Sequence, residues 1–124
     1  MNSQMNTEIQ TVGIIGLGYV GQPTAAAFLQ CGYDVIGIES NSSLVEQLQN
    51  NGGFVHEPGV VEQFKLGKSR LTISTDYLLL KRADAIVITV GTPLNDEGTA
   101  DLKAVESMAE LLAPILGNGQ LVML

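Results

Sequence analysis

The chain alternates short, nearly continuous apolar runs with longer segments in which apolar residues recur every three or four positions. "IQTVGIIG", "YDVIGIE", "RLTIST", "DAIVITV" and "GQLVML" are the apolar runs. Their length and β-branched content suit strands buried on both faces of a sheet. Between them, "YVGQPTAAAFLQC", "SLVEQLQN", "EPGVVEQFKLG", "DYLLLKRA" and "DLKAVESMAELLAPIL" predict helices. The first is apolar nearly all round, as a helix pressed against a sheet should be. Its Pro23 falls near the first turn, where backbone donors lack intrahelical partners anyway, and Gly32 ends it. In "EPGVVEQFKLG", Pro58 stands at the helix start and Gly67 at its end. The last segment carries Leu102, Val105, Met108, Leu112 and Ile115 at helical spacing. Strands and helices in this alternation predict an α/β fold of three layers: a parallel sheet with helices on both faces and right-handed crossovers.

One junction in this pattern carries chemistry. "VGIIGLGYVGQPTAAAFL" sets Gly16, Gly18 and Gly21 in the spacing G-x-G-x-x-G. With 14 glycines in 124 residues, chance alone supplies ~0.17 such matches, so the bare pattern is weak. Its position is informative, because it falls at the first strand-to-helix turn. There Gly16 permits a tight turn, Gly18 lets backbone approach a pyrophosphate, and Gly21 allows close packing of helix on strand. The amides of Gly18, Tyr19 and Val20 would point at the phosphate, reinforced by the helix dipole. The fold this implies is a Rossmann-type doubly wound sheet of about five strands in the order 3-2-1-4-5.

A second feature lies in register with the first. Glu39 closes the second strand 18 residues after Gly21, where a carboxylate can accept hydrogen bonds from ribose hydroxyls. It would repel a 2'-phosphate, and Ser40 and Asn41 beside it supply no arginine to attract one. NAD is therefore the expected cofactor in preference to NADP. Thr75, after the third strand, is a further cofactor-contact candidate, since ligands of open parallel sheets bind outside the carboxyl ends of the strands.

Composition narrows the class. At 124 residues the chain is the size of one domain. Its 45% apolar and 15% charged residues describe a compact protein with a core. "MNSQMNTE" has neither a basic nor an apolar export region, so residues 1–8 read as a disordered polar tail and 9–124 as the domain. A formal charge of -7 with only six basic residues argues against nucleic acid or an anionic membrane as partner. No stretch approaches a membrane span. A single Cys31 allows no internal disulfide, which makes a reducing cytoplasm the expectation. Cys31 and the lone His56 lack partners at ligand spacing, so no metal site is expected.

"GIIGLGYVGQPTAAAF", "HEPGV" and "ADAIVITVGTPL...TADL", in this order and separation, resemble the N-terminal NAD-binding domain of the UDP-glucose/GDP-mannose dehydrogenase family, from Ile9 onward. The wording "VGTPLND" is similar to the branch that oxidises UDP-N-acetylhexosamines. The resemblance implies oxidation of a sugar-nucleotide C6 hydroxyl to a carboxylate with two NAD reduced in succession, through a cysteine thiohemiacetal and thioester. It places that cysteine in a later half of the enzyme, and Cys31 does not match it. It also implies that Val90 and Thr92 border the cofactor, and that Thr92, between nicotinamide and substrate, helps hold the hydrolytic water. The plainer reading of Thr92 is a turn start before Pro93.

Two departures and one unassigned residue qualify the resemblance. Leu44 stands where a lysine near the adenosine half of NAD is common, and Glu57 of "EPG" acquires no chemical role from its local physics. The family's central helix, tied to dimer formation, and its second nucleotide-fold domain are not in these residues, so an excised or truncated domain, inactive alone, is the expectation. The parent enzyme would be a homo-oligomer taking a nucleotide-sugar substrate. Ending in "LVML" would leave an apolar strand edge through which the piece self-associates. The alternatives are a stand-alone dinucleotide-binding module without catalysis and a hydroxyacid or 6-phosphogluconate-type dehydrogenase domain. The latter resemble G-x-G-x-M-G at the loop, against which Val20, "EPG" and "GTP" speak.

Overall fold

The computed structural model describes residues 8–51, 57, 59–91 and 94–124. Pro58, His56, Thr92 and Pro93 lie outside the described residues. Five strands form the frame: β1 (Thr11–Ile15), β2 (Asp34–Ile38), β3 (Leu71–Ser74), β4 (Ala85–Ile88) and β5 (Leu121–Met123). They make one sheet in the order β3-β2-β1-β4-β5, with every pair parallel. This is the expected 3-2-1-4-5 arrangement. Among the described residues four α-helices connect the strands: α1 (Gly21–Gln30), α2 (Ser42–Asn51), α3 (Val60–Leu66) and α4 (Lys103–Leu112).

Alternation along β1 divides its side chains between two cores. Val12 and Ile14 join Ala25 and Leu29 of α1, Val45 and Leu48 of α2, and Val60 and Phe64 of α3 on one face. Ile15 joins Ile36, Ile38, Leu80, Ile86 and Leu112 on the other. A strand that feeds both cores must be apolar at every position, which is why β1 reads as an unbroken run. The three layers are thus α1, α2 and α3 over the sheet, with α4 and the Tyr77–Arg82 segment beneath.

Polar ties finish the frame. Asp84 Oδ2 accepts from the amides of Gln10 and Thr11, both at 2.9 Å, aligning β1 with β4. The Arg70 guanidinium donates to the carbonyls of Tyr33 (2.7 Å) and Leu29 (3.1 Å), tying the approach to β3 to the C-terminal end of α1 and the turn after it. Gln120 Nε2 donates to the carbonyls of Leu80 and Ala83, anchoring the approach to β5.

Several boundaries differ from the sequence expectation. "DYLLLKRA" forms a 3-10 helix, Tyr77–Arg82, and not an α-helix. Only ten residues separate Ser74 from Ala85, and the tighter helix fits a short crossover whose first turn is capped when Asp76 accepts from the Leu78 amide. A second 3-10 turn, Lys68–Arg70, was not expected. Helix α3 begins at Val60 with Gly59 as its N-cap, two residues beyond Pro58. Helix α4 stops at Leu112, close before Pro114, whose ring cannot continue the hydrogen-bond ladder. Of its predicted apolar stripe, Leu112 is buried and Met108 and Ile115 pack on the lower core, but Leu102 is half exposed. Among the described residues no helix is long and apolar enough to cross a membrane.

Leu80 is the pivot of the lower layer: it is fully buried, and a Cβ added to Gly13 would lie 2.6 Å from its Cδ2. Leu80→Ala is therefore expected to cost about 2–5 kcal/mol of stability, because neither Gly13 nor Ala83 can fill the void. Denaturant unfolding checks this, and a loss below about 1 kcal/mol would contradict it.

Candidate functional site

The loop that follows β1 lies where the strand order reverses, with β2 on one side of β1 and β4 on the other. Chain leaving β1 therefore enters a crevice between two diverging connections, the usual ligand position in an open parallel sheet. Gly16 has φ +89 and its amide donates to the Ile38 carbonyl at 2.8 Å, turning the chain across the end of β2. A side chain there would suffer both the left-handed backbone and a contact of 3.0 Å with the Thr89 carbonyl. Gly18 faces open space. At Gly21 a Cβ would collide with the Gly16 carbonyl oxygen and come 2.9 Å from Thr89 Oγ1.

Those contacts bring the first turn of α1 directly onto the loop. The N-cap of α1 is Val20, which has no side-chain capping bond. Tyr19 and Val20 project into solvent, 79% and 64% exposed. An uncapped helix N-terminus with a glycine-opened approach has the geometry that binds a phosphate through backbone amides.

Glu39 follows β2 and is aimed at this loop. Its Oε1 accepts from the Leu17 amide at 2.9 Å and its Oε2 from the Asn41 amide at 2.8 Å. The sequence pattern placed the carboxylate near the loop but did not show that two backbone amides already hold it. The Ser40 hydroxyl also donates to Oε2, at 3.5 Å, and since a carboxylate has about four acceptor sites, capacity for a ribose hydroxyl remains. Thr75 is exposed just past β3, beside Glu39, whose amide donates to the Ser74 carbonyl. Val90 is half-buried and packs on the lower core. Leu44 packs against the upper core, so this position offers no cation. Thr92 lies outside the described residues. Cys31, exposed, caps the opposite end of α1, about 15 Å along the helix from the loop.

Three side chains at the crevice were not singled out from the sequence. Thr89 Oγ1 donates to the carbonyls of Ile15 (2.9 Å) and Gly16 (2.6 Å). Gln22, fully buried, donates through Nε2 to the Leu17 carbonyl at 2.9 Å. A hydroxyl in "IVITV" and an amide on an otherwise apolar helix were the available signals. Tyr77 is the third: burial, and then the negative charge of Glu39, push its phenol above the usual value of about 10. A hollow of about 670 Å³ lined by Leu48, Phe64, Lys65, Lys68 and Ile73 shares no residue with the loop. Among the described residues no group of three or more His, Cys, Asp or Glu could hold a metal ion.

Comparison with known proteins now decides the family. Residues 10–124 match the family model described as UDP-glucose/GDP-mannose dehydrogenase family, NAD binding domain. The chain belongs to this family. It is 36% identical over 119 residues to a UDP-N-acetyl-D-mannosamine dehydrogenase of Yersinia pestis, covering 93% of this chain and 27% of that protein. A UDP-N-acetyl-D-mannosamine dehydrogenase of Methanococcus maripaludis is 33% identical, over 98% of this chain and 29% of the relative. Among solved structures, a UDP-N-acetyl-mannosamine dehydrogenase from Staphylococcus aureus superposes with a TM-score of 0.82 at 31% identity, over 91% of this chain and 28% of that one. The chain thus spans under a third of the length of the relatives it matches. A 3-hydroxybutyryl-CoA dehydrogenase from Escherichia coli, at 19% identity and TM-score 0.63, shares the fold alone.

NAD is the family's cofactor, and the residues present fit it. Gly18 has the open space a pyrophosphate requires, the α1 terminus supplies amides, and Glu39 stands one strand away with acceptor sites to spare. Gly21→Ala is expected to lose about 3 kcal/mol of stability or more, because a methyl cannot share space with the Gly16 carbonyl without moving α1. An unchanged melting curve would contradict that contact.

Tyr77 gives a second check. Its folded value lies above the unfolded one, so the neutral phenol's contribution to stability is complete below about 10 and is lost as pH rises through the folded value. The latest component of a phenol absorbance titration should vanish in Tyr77→Phe and move to lower pH in Glu39→Gln. No movement in Glu39→Gln would show that the charge is not felt.

Proposed function

We propose that this chain is the NAD-holding part of a nucleotide-sugar 6-dehydrogenase that oxidises the C6 hydroxyl of a UDP-sugar to a carboxylate with two NAD. The single observation that carries the cofactor geometry is the bond from the Leu17 amide to Glu39 Oε1, 2.9 Å, which ties the phosphate loop and the ribose acceptor into one unit. Bound NAD supplies the hydride acceptor. The protein's own contribution here is to hold and orient. Amides of Gly18, Tyr19 and Val20 receive the diphosphate, Glu39 accepts from the adenosine ribose, and Thr75 and Val90 flank the crevice.

Thr92 follows β4 by four residues and takes the role the family resemblance gives it, holding the water that hydrolyses a thioester. The nucleophilic cysteine is not Cys31, which stands at the far end of α1. A UDP-N-acetylhexosamine is the proposed substrate class, supported by "VGTPLND" and by relatives named for UDP-N-acetyl-D-mannosamine. The parent enzyme works as a homo-oligomer in the cytoplasm, a compartment that suits an exposed, unbridged thiol.

Calorimetry tests the reading. NAD is expected to bind at least about tenfold more tightly than NADP, a difference of about 1.4 kcal/mol, because a 2'-phosphate would meet the Glu39 carboxylate with no arginine at Ser40 or Asn41 to receive it. Glu39→Ser should abolish the preference. Equal affinity for the two dinucleotides in the unaltered protein would overturn the assignment of Glu39. In the intact enzyme, the reaction should release two NADH per UDP-N-acetylhexosamine, and a ratio of one would remove the acid-forming reaction.

A further inference from the structure

A trans peptide unit aims its C=O and its N–H in opposite directions, so whatever holds one residue's carbonyl fixes where the next residue's amide points. No cis peptide occurs among the described residues. The loop amides can therefore be followed one by one. The Gly16 amide donates to the Ile38 carbonyl at 2.8 Å and the Leu17 amide to Glu39 Oε1 at 2.9 Å, so both are turned toward β2 and its end. Gly18 carries the first loop amide not committed to another described residue. The other end of its peptide unit is the Leu17 carbonyl, which accepts from Gln22 Nε2 at 2.9 Å. The backbone ladder of α1 starts later, with the amides of Gln22 and Thr24 on the carbonyls of Gly18 and Val20, both at 3.1 Å. The Leu17 carbonyl thus lies ahead of the ladder, and a side chain serves it.

Gln22 is fully buried and is the polar side chain found in the interior among the described residues. It stands on a helix whose other buried members are Gly21, Ala25, Ala26 and Leu29. An amide side chain is costly in such surroundings unless its hydrogen bonds are made. We propose that Gln22 is a positioning residue for pyrophosphate binding: by holding the Leu17 carbonyl inward, it turns the Gly18 N–H away from the helix and toward the crevice. This rests on the reading of the loop as the NAD pyrophosphate site. A Cβ added to Gly18 would meet nothing within 4 Å, so a diphosphate can come close to this amide. Without the side-chain donor, the Leu17 carbonyl would be left unsatisfied and would gain by rotating toward solvent. Glycine at position 18 offers that rotation little steric resistance. The rotation would carry the Gly18 N–H inward and set a carbonyl oxygen where the phosphate must come. Gln22 therefore selects, of the two faces of one peptide unit, the one that receives an anion. The Leu17 amide belongs to the preceding peptide unit and stays on Glu39, so the ribose acceptor is untouched.

The test compares the unaltered full chain with Gln22→Met, which keeps the length of the side chain and removes the donor. Affinities for NAD, ADP-ribose and adenosine are measured beside melting temperature, and the Gly18 amide resonance is followed by NMR as ADP-ribose is added. In the unaltered protein that resonance should shift on saturation with ADP-ribose. Gln22→Met should bind NAD and ADP-ribose about tenfold more weakly, keep adenosine within about twofold, and lose the Gly18 shift. Unaltered protein that binds ADP-ribose, with Gln22→Met binding it equally well, overturns the proposal alone. A loss shared by adenosine also overturns it, since the packing of α1 and not the direction of one amide would then be responsible. So does a Gly18 resonance in the unaltered protein that ignores bound ADP-ribose, whether or not any variant folds. Unaltered protein that binds neither NAD nor ADP-ribose overturns the underlying reading and this proposal together. Should Gln22→Met not fold, Gln22→Leu replaces it as the donor-free variant with the same outcomes.

Discussion

Helix α1 lies so close to the turn before it that Gly21 has no room for a side chain against the Gly16 carbonyl. That approach governs much else. It directs the uncapped N-terminus of α1 at the crevice, seats Ala25 and Leu29 on the upper core, and leaves Gly18 facing open space. It also brings the Thr89 hydroxyl within reach of two loop carbonyls. A helix displaced by one methyl would uncouple packing from ligand geometry at once, since interiors are close-packed and transmit strain.

The electrostatic design follows from the same junction. With net charge -7 and only six basic residues, a dianionic diphosphate is better received by oriented backbone dipoles than by scattered cations. Glu39 is an anion beside that site, and its two bonds to the Leu17 and Asn41 amides hold it in place and moderate its charge. In the proposed reading the negative groups are separated by function: amides for phosphate, carboxylate for hydroxyls. Tyr77 feels the same field: burial first, and then the Glu39 charge, make its phenol give up a proton less readily.

Family membership and local geometry support each other without duplicating one another. The match over residues 10–124 says what kind of domain this is. The hydrogen bonds say how this version of it is braced, and two of the braces, Thr89 and Gln22, are side chains that the glycine motif does not specify. The chain spans 29% and 27% of the two UDP-N-acetyl-D-mannosamine dehydrogenases named above.

Element order, the parallel sheet and the place of Gly16, Gly18 and Gly21 could be read from the chain because each depends on local periodicity or on a steric demand made by one residue. The strand order followed from the glycine motif at the first strand-to-helix turn, which implies the Rossmann-type arrangement. Glu39 was legible by its spacing, although not the two amides that bind it. Other features were settled only by the tertiary structure. Whether "DYLLLKRA" coils as an α- or a 3-10 helix depends on the span between β3 and β4, and whether Leu102 is buried depends on where α4 begins. Which side chain serves the Gly16 carbonyl depends on the register that pairs Ile15 with Ile88 and so delivers Thr89 beside the loop. Periodicity records the face a residue occupies; a hydrogen bond across 73 residues records how the strands are aligned, and no local pattern carries that information.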